Sequence, residues 1–188
     1  MKDSETYSVE LTGTRPLLQH SCKNMIEDGE KPAGRNKEHI PLEEAESALY
    51  KDSKGNIIVE AKSILACLRT VAVNYKIPGR GKKTFKDFVY AGVQIDPLEI
   101  PLISKGGWEL DKQVVVVNRS RIVRARPRFD DWKLRFNAEL VDPIIRGTDL
   151  KQFFMDAGKY NGLLDFRPLY GLFELTHFEK AEPNGGKK

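Results

Sequence analysis

The chain has 188 residues with 31 Lys+Arg against 27 Asp+Glu, a formal net charge of +4 at pH 7, and is 40% hydrophobic and 31% charged. Its mean hydropathy is -0.47 and its pI about 9.0. That balance suits one globular domain with its own core and excludes a chain that is disordered throughout or membranous.

No apolar run approaches the roughly 18 residues of a spanning helix. The opening "MKDSETYSVE" lacks the charged start, apolar centre and cleavage site of a secretory signal, so a cytoplasmic protein is expected, with no membrane partner. Cys22 and Cys67 stand far apart without CxxC spacing. This argues against both a disulfide scaffold and a zinc site. An excess of +4 is too small to imply a nucleic-acid partner by itself; what counts is where the charges sit.

In chain order, "YSVELTGTRPLL" alternates Val9 and Leu11 against Ser8, Glu10 and Thr12, the period of a half-buried strand, closed by Pro16. Residues 22–40 mix Gly, Pro, Asn and charge without periodicity and read as a long insertion, extending to 55. Within it "PLEEAESALYKD" predicts a short helix, with Pro41 at its start and Glu43, Glu44 and Glu46 where the helix dipole favours negative charge. A turn at Gly55-Asn56 and a brief strand at 57–59 follow. Ile64, Leu65, Leu68, Val71 and Ala72 then form the apolar stripe of a helix that carries Arg69 off the stripe and ends at Pro78-Gly79.

The stretch 76–87 reads as a flexible basic loop leading into a second short helix, and "IDPLEIPLISKGG" as an extended, Pro-punctuated segment. Val114 to Val117 predict a buried strand. In the next strand Ile122, Arg124, Arg126 and Arg128 share one face, with Val123, Ala125 and Phe129 on the other. "DDWKLRFNAELVDP" places Trp132, Leu134, Phe136, Ala138 and Leu140 inward and Lys133, Arg135, Asn137 and Glu139 outward. Thr148 is the expected cap of a helix with a Leu150, Phe153, Phe154, Ala157 stripe, "GLFELTHFEK" a final strand, and 181–188 a mobile tail. Strand, long helix, strands, helix, strand predicts an α+β fold: a single domain over 1–180 with a ferredoxin-like (RRM-like) antiparallel sheet, helices on one face, plus insertions.

Two stretches stand out chemically. From Lys112 to Arg128 the basic residues are Lys112, Arg119, Arg121, Arg124, Arg126 and Arg128, without one Asp or Glu among them. Charged side chains can protect an edge strand. A line of arginines at alternate positions also approximates the step of phosphates along a nucleic-acid strand, and arginine adds bidentate contacts that lysine lacks. The second stretch, "YKIPGRGKKTFK", offers Arg80, Lys82 and Lys83 among glycines. It fails the phosphate-loop pattern, because Lys76 stands five before Gly81 and Lys83 intervenes before Thr84, which excludes a nucleoside triphosphatase. His20, His39 and His177 show no metal-ligand spacing, so no metal or cofactor is expected. His20, beside Ser21, is the single candidate for a general acid or base, and Asp130-Asp131 reads as a turn.

The order of elements, with "LTGTRPLLQHS", "NIIVEAKSILACLRTV" and "GLLDFRPLYGLFEL", resembles the repeat-associated RNA-binding (RAMP) superfamily of CRISPR systems. The resemblance implies a ferredoxin-like core that binds single-stranded RNA. Ser63 and Arg69 match the family's turn and helix-ending arginine, whereas its lysine and glycine are here Leu65 and Ala66. Of its glycine-rich loop only Gly162 and Gly171 remain, bracketing Arg167.

The expected function is therefore sequence-tolerant binding of single-stranded RNA or DNA, with possible assembly as a homo-oligomer or with effector-complex subunits. The site residues would be Arg69, Arg80, Lys82, Lys83, Arg119, Arg121, Arg124, Arg126, Arg128 and Arg167. The alternatives are a metal-independent endoribonuclease using His20, and a protein-interaction subunit whose basic face meets an acidic partner.

Overall fold

The computed structural model describes residues 4–21, 40–117 and 119–181. The tail from 182 and most of the insertion, 22–39, lie outside the described residues.

Strand β1 (Glu5–Gly13) buries Tyr7, Val9 and Leu11, the alternation its sequence dictates. Strand β2 (Leu17–Leu18), helix α1 (Pro41–Ser47) and strand β3 (Ile58–Glu60) lead to helix α2 (Ala61–Ala72), whose buried stripe is Ala61, Ile64, Cys67, Leu68, Val71 and Ala72. Helix α3 (Lys86–Gly92), strands β4 (Val93–Asp96) and β5 (Glu99–Pro101), and the hairpin β6 (Glu109–Val117) and β7 (Ser120–Phe129) come next. Strand β8 (Lys133–Leu140), helix α4 (Gly147–Asp156), a π-helical turn (Ala157–Asn161) and strand β9 (Phe173–Lys180) complete the chain.

The main sheet has the order β4-β8-β1-β9 with every neighbouring pair antiparallel. Two βαβ halves, β1-α2-β4 and β8-α4-β9, interleave their strands, which is the ferredoxin-like topology. The core lies between this sheet and the helices, joining Val9, Leu11, Leu134 and Phe136 from the strands to Ile64, Leu68, Leu150, Phe153 and Phe154 from α2 and α4. Along β8 the predicted alternation holds throughout, with Leu134, Phe136, Ala138 and Leu140 buried and Lys133, Arg135 and Asn137 exposed. Trp132 is fully packed against Gly13, where a Cβ would fall 2.2 Å from the indole nitrogen, and that nitrogen donates to the Arg15 carbonyl at 2.8 Å.

Between β4 and β8 the chain leaves the main sheet. Strand β5 pairs with β3, and β6-β7 forms a long hairpin whose stem is joined by β2, giving the order β2-β7-β6. This overturns one expectation. Val114 and Val116 are 66% and 69% exposed, so the valine run is the arm of a projecting hairpin and not a buried strand. Composition gave the right element, but among the described residues no layer covers it. Two boundaries also differ: α2 ends at Ala72, six residues before Pro78, in a turn closed by the Asn74 amide on the Val71 carbonyl. Helix α4 is capped at Arg146 and not at Thr148; the Asp149 carboxylate accepts the Arg146 backbone N–H at 3.1 Å and its guanidinium at 2.9 Å.

Candidate nucleic-acid interface

The arginine row of β7 does share one face, but carboxylates from elsewhere meet it. Arg124 Nη1 lies 3.0 Å from Glu44 Oε1 of α1, whose other oxygen accepts the Ala125 backbone N–H at 2.9 Å. Arg126 is 8% exposed, with Nε 2.5 Å from Asp165 Oδ2. Its Nη1 is buried without a hydrogen bond among the described residues, and the guanidinium rests over the Phe166 ring at 4.6 Å. Arg128 meets Asp130 at 2.8 Å, Glu109 at 3.1 Å and Asp111 at 3.8 Å, and the Asp130 hydrogen bond raises its pKa above the ordinary arginine value. A row unbalanced within its own stretch of sequence is thus balanced in space, a correction to the expectation of a bare cationic strand. Arg121 remains exposed near the hairpin tip, and Arg119 forms the tip turn with φ 66°.

His20 sits at the same junction. Its Nδ1 accepts a hydrogen bond from Arg126 Nε at 3.2 Å and lies 3.8 Å from Asp165 Oδ2. The lone pair a general base would use is therefore directed at a guanidinium. Asp131 caps a turn, accepting from the backbone of Lys105 and Gly106, and its pKa lies below the usual range chiefly through the Lys105 N–H. Among the described residues no group of three or more His, Cys, Asp or Glu could hold a metal ion, and no helix is long and apolar enough to cross a membrane.

The basic segment 76–86 is folded more tightly than its composition suggests. The Ile77 N–H donates to the Lys83 carbonyl at 2.9 Å, the Arg80 and Lys83 N–H groups close successive turns on the Ile77 and Arg80 carbonyls, and Gly79 and Gly81 adopt φ 75° and 62°, which suits residues without a Cβ. Arg80, Lys82 and Lys83 are exposed. Arg80 stacks over Phe88 at 5.5 Å, and Arg69 over Tyr90 at 5.3 Å, with Asp87 3.9 Å from Arg69.

On the other side, the loop 162–171 is pinned at many points. The Leu163 N–H donates to the Gly171 carbonyl at 2.9 Å, Gly171 to Pro16 at 2.7 Å, Asp165 to Leu18 at 3.2 Å, and the Cys67 thiol to Gly162 at 3.1 Å. Burial pushes the Cys67 thiol up to about 11. Gln113 of β6 donates to the Tyr170 hydroxyl at 3.0 Å. Together with Arg126 and Asp165 this fastens the hairpin stem to the loop. Arg167 is exposed on that loop.

At 100° per residue, α2 turns Cys67 toward the 162–171 loop and Arg69 to the opposite flank, against α3. The crest between them is Lys62, Ala66, Thr70 and Val73, all exposed. Arg69, Arg80, Lys82 and Lys83 therefore belong to one flank of a helix whose other flank carries Arg167 and, beyond it, the hairpin. The open sheet face is different: Glu10 there is 2.6 Å from Arg135 and 3.4 Å from Lys133, and its outward side chains Thr12, Asn137, Glu174 and Thr176 are polar. Sequence reasoning named Glu44 only as a first-turn acid of its helix and did not single out Asp165, Tyr90 or Tyr170. The clue available was that "LLDFRPLY" places an acid next to an aromatic in a loop otherwise built for contact.

A scan of protein-family models matches nothing, and no curated protein matches in sequence. Among solved structures, a chain from the cryo-EM structure of the Type III-B Cmr-beta bound to cognate target RNA superposes with a TM-score of 0.62 at 14% identity, covering 95% of this chain and 61% of that one. The likeness is one of fold, and the present chain spans about three fifths of its neighbour's length.

Proposed function

We propose that this chain is a RAMP-like protein that holds single-stranded nucleic acid, RNA in preference to DNA, across its helical side. The observation that carries this reading is the pair of basic flanks on α2: the half-buried Arg69 with exposed Arg80, Lys82 and Lys83 on one, exposed Arg167 on the other. The crest between them, with Ala66 and Thr70, is low and nearly uncharged, so an extended backbone can cross it while its phosphates meet cations on both sides. Support from fold comes from the RNA-bound assembly that contains the structural neighbour. The sheet face fits the role poorly, since its cations are already paired with Glu10. Arg119 and Arg121 extend the basic path at the hairpin tip, while Arg124, Arg126 and Arg128 contribute mainly by fixing the hairpin stem. Binding of a labelled oligonucleotide across a salt series tests the reading. Alanine at Arg69, Arg80 and Arg167 together should weaken binding and flatten the salt dependence, and unchanged binding would refute it.

A second feature favours membership of a larger assembly. Val114, Val116 and Val123 lie on one face of the hairpin, register partners or two residues apart, and all three are exposed. Such an apolar face is usually covered in the working state. Light scattering with a long oligonucleotide should give more than one chain per strand; one chain per strand at saturation would remove homo-oligomeric assembly.

A further inference from the structure

A shallow depression of about 350 Å³ is lined by Asn161, Leu164, Asp165, Phe166, Arg167 and Pro168. Its volume falls at the lower end of small-ligand sites. Three features make it more than a gap between side chains. The Asp165 carboxylate, about one third exposed, is fixed from behind: its Oδ2 is buried, ion-paired to Arg126 at 2.5 Å and without a hydrogen bond among the described residues. Both neighbours of Asp165 are held left-handed, Leu164 at φ 59° and Phe166 at φ 52°, a conformation that side-chain-bearing residues avoid. Strain of this kind persists where surrounding contacts enforce it, and it gathers at binding sites. Finally, apolar walls from Leu164 and Pro168 adjoin a guanidinium from Arg167.

Each part limits what can bind. An ionised carboxylate only accepts hydrogen bonds, so the ligand must present donors to it. Apolar walls suit the faces of a flat ring, and the guanidinium suits a phosphate. Of the RNA bases, guanine alone offers two parallel donors on one edge, N1–H and N2–H, both of which can converge on a carboxylate that is accessible from one side only. Adenine and cytosine present one amino group beside a ring nitrogen that a carboxylate repels. Uracil presents a single N–H between two carbonyls.

We propose that this depression receives one unpaired guanine of the bound strand, read by Asp165, with Arg167 on its phosphate. The proposal rests on the single-strand reading above and adds a base preference to it. The test uses the full chain and labelled oligouridines carrying no guanine, one guanine, one inosine or one 7-deazaguanine, compared by fluorescence anisotropy. One guanine should tighten binding about tenfold, inosine, which lacks the N2 amino group, should lose most of that gain, and 7-deazaguanine, altered on the other edge, should keep it. Asp165→Asn should bring the guanine and all-uridine strands to equal affinity, with circular dichroism confirming that the variant is folded. The base-analogue series needs no variant, so a folding failure of Asp165→Asn does not blunt it. Equal affinity for guanine, inosine and uridine strands would overturn the guanine site and leave single-strand binding standing. No binding to any strand would overturn both.

Discussion

Nε of Arg126 lies 2.5 Å from Oδ2 of Asp165, joining the stem of the β6-β7 hairpin to the loop that follows the π-helical turn. The guanidinium is nearly enclosed, while the carboxylate is about one third exposed. Removing the cation strands a partly buried carboxylate, and removing an exposed partner does not. Arg126→Ala should therefore lower stability by about 2 kcal/mol, less than for a fully buried pair because water reaches Asp165. Arg124→Ala removes a far more exposed cation, and Glu44 keeps the Ala125 backbone N–H on its other oxygen, so the cost should be only about 0.5 kcal/mol. Urea unfolding midpoints of the two variants decide the order.

Replacing Arg80, Lys82 and Lys83 with alanine should reduce the slope of log affinity against log salt by about 2, since each single-strand phosphate contact contributes roughly 0.7. Lys133→Ala with Arg135→Ala, on the sheet face paired to Glu10, should leave the slope unchanged. A reversal of the two outcomes would move the binding surface to the sheet.

The turn at Gly171 should tolerate no side chain. Its φ is 73°, and an added Cβ would fall 2.1 Å from the Leu163 carbonyl oxygen. Gly79 has φ 75° with nothing within 4 Å of the same position. Gly79→Ala should cost about 1 kcal/mol through backbone strain alone. Gly171→Ala adds overpacking of roughly 2 kcal/mol and should displace the 162–171 loop, weakening oligonucleotide binding as well. Thermal melts and binding measured on both variants separate strain from steric displacement.

Glu10 is held below its ordinary pKa, first by the hydrogen bond from Arg135 and then by that from Thr176. A carboxylate with a depressed folded pKa contributes stability that is complete above its unfolded value, about 4.3, and is lost as pH falls through the folded value. From about pH 5 down to about pH 3 the wild type should therefore lose stability faster than Glu10→Gln. Parallel loss in the two proteins, followed by urea midpoints at each pH, would show that the Glu10 cluster contributes nothing.

Much of the fold was legible because it rests on local periodicity. The Trp132 to Leu140 alternation, the α2 stripe and the Leu150, Phe153, Phe154, Ala157 stripe each name their buried face without reference to any other element. Val114 to Val117 show the limit of that logic. Four consecutive valines state that a strand forms, but whether a layer covers it depends on where the hairpin projects. The short basic segment at 76–86 was visible as charge, while its tight turns depend on backbone bonds between Ile77, Arg80 and Lys83 that composition does not encode.

The sequence by itself determined the order of strands and helices, and with it the ferredoxin-like sheet, because side-chain period and burial are properties of neighbours along the chain. The tertiary structure alone decided which cations stay free. Arg124 finds Glu44 from 80 positions away and Arg126 finds Asp165, whereas Arg80, Lys82, Lys83 and Arg167 remain exposed. Direct ion pairing is set by distance in space, through an attraction that weakens as the charges separate and takes no account of separation along the chain.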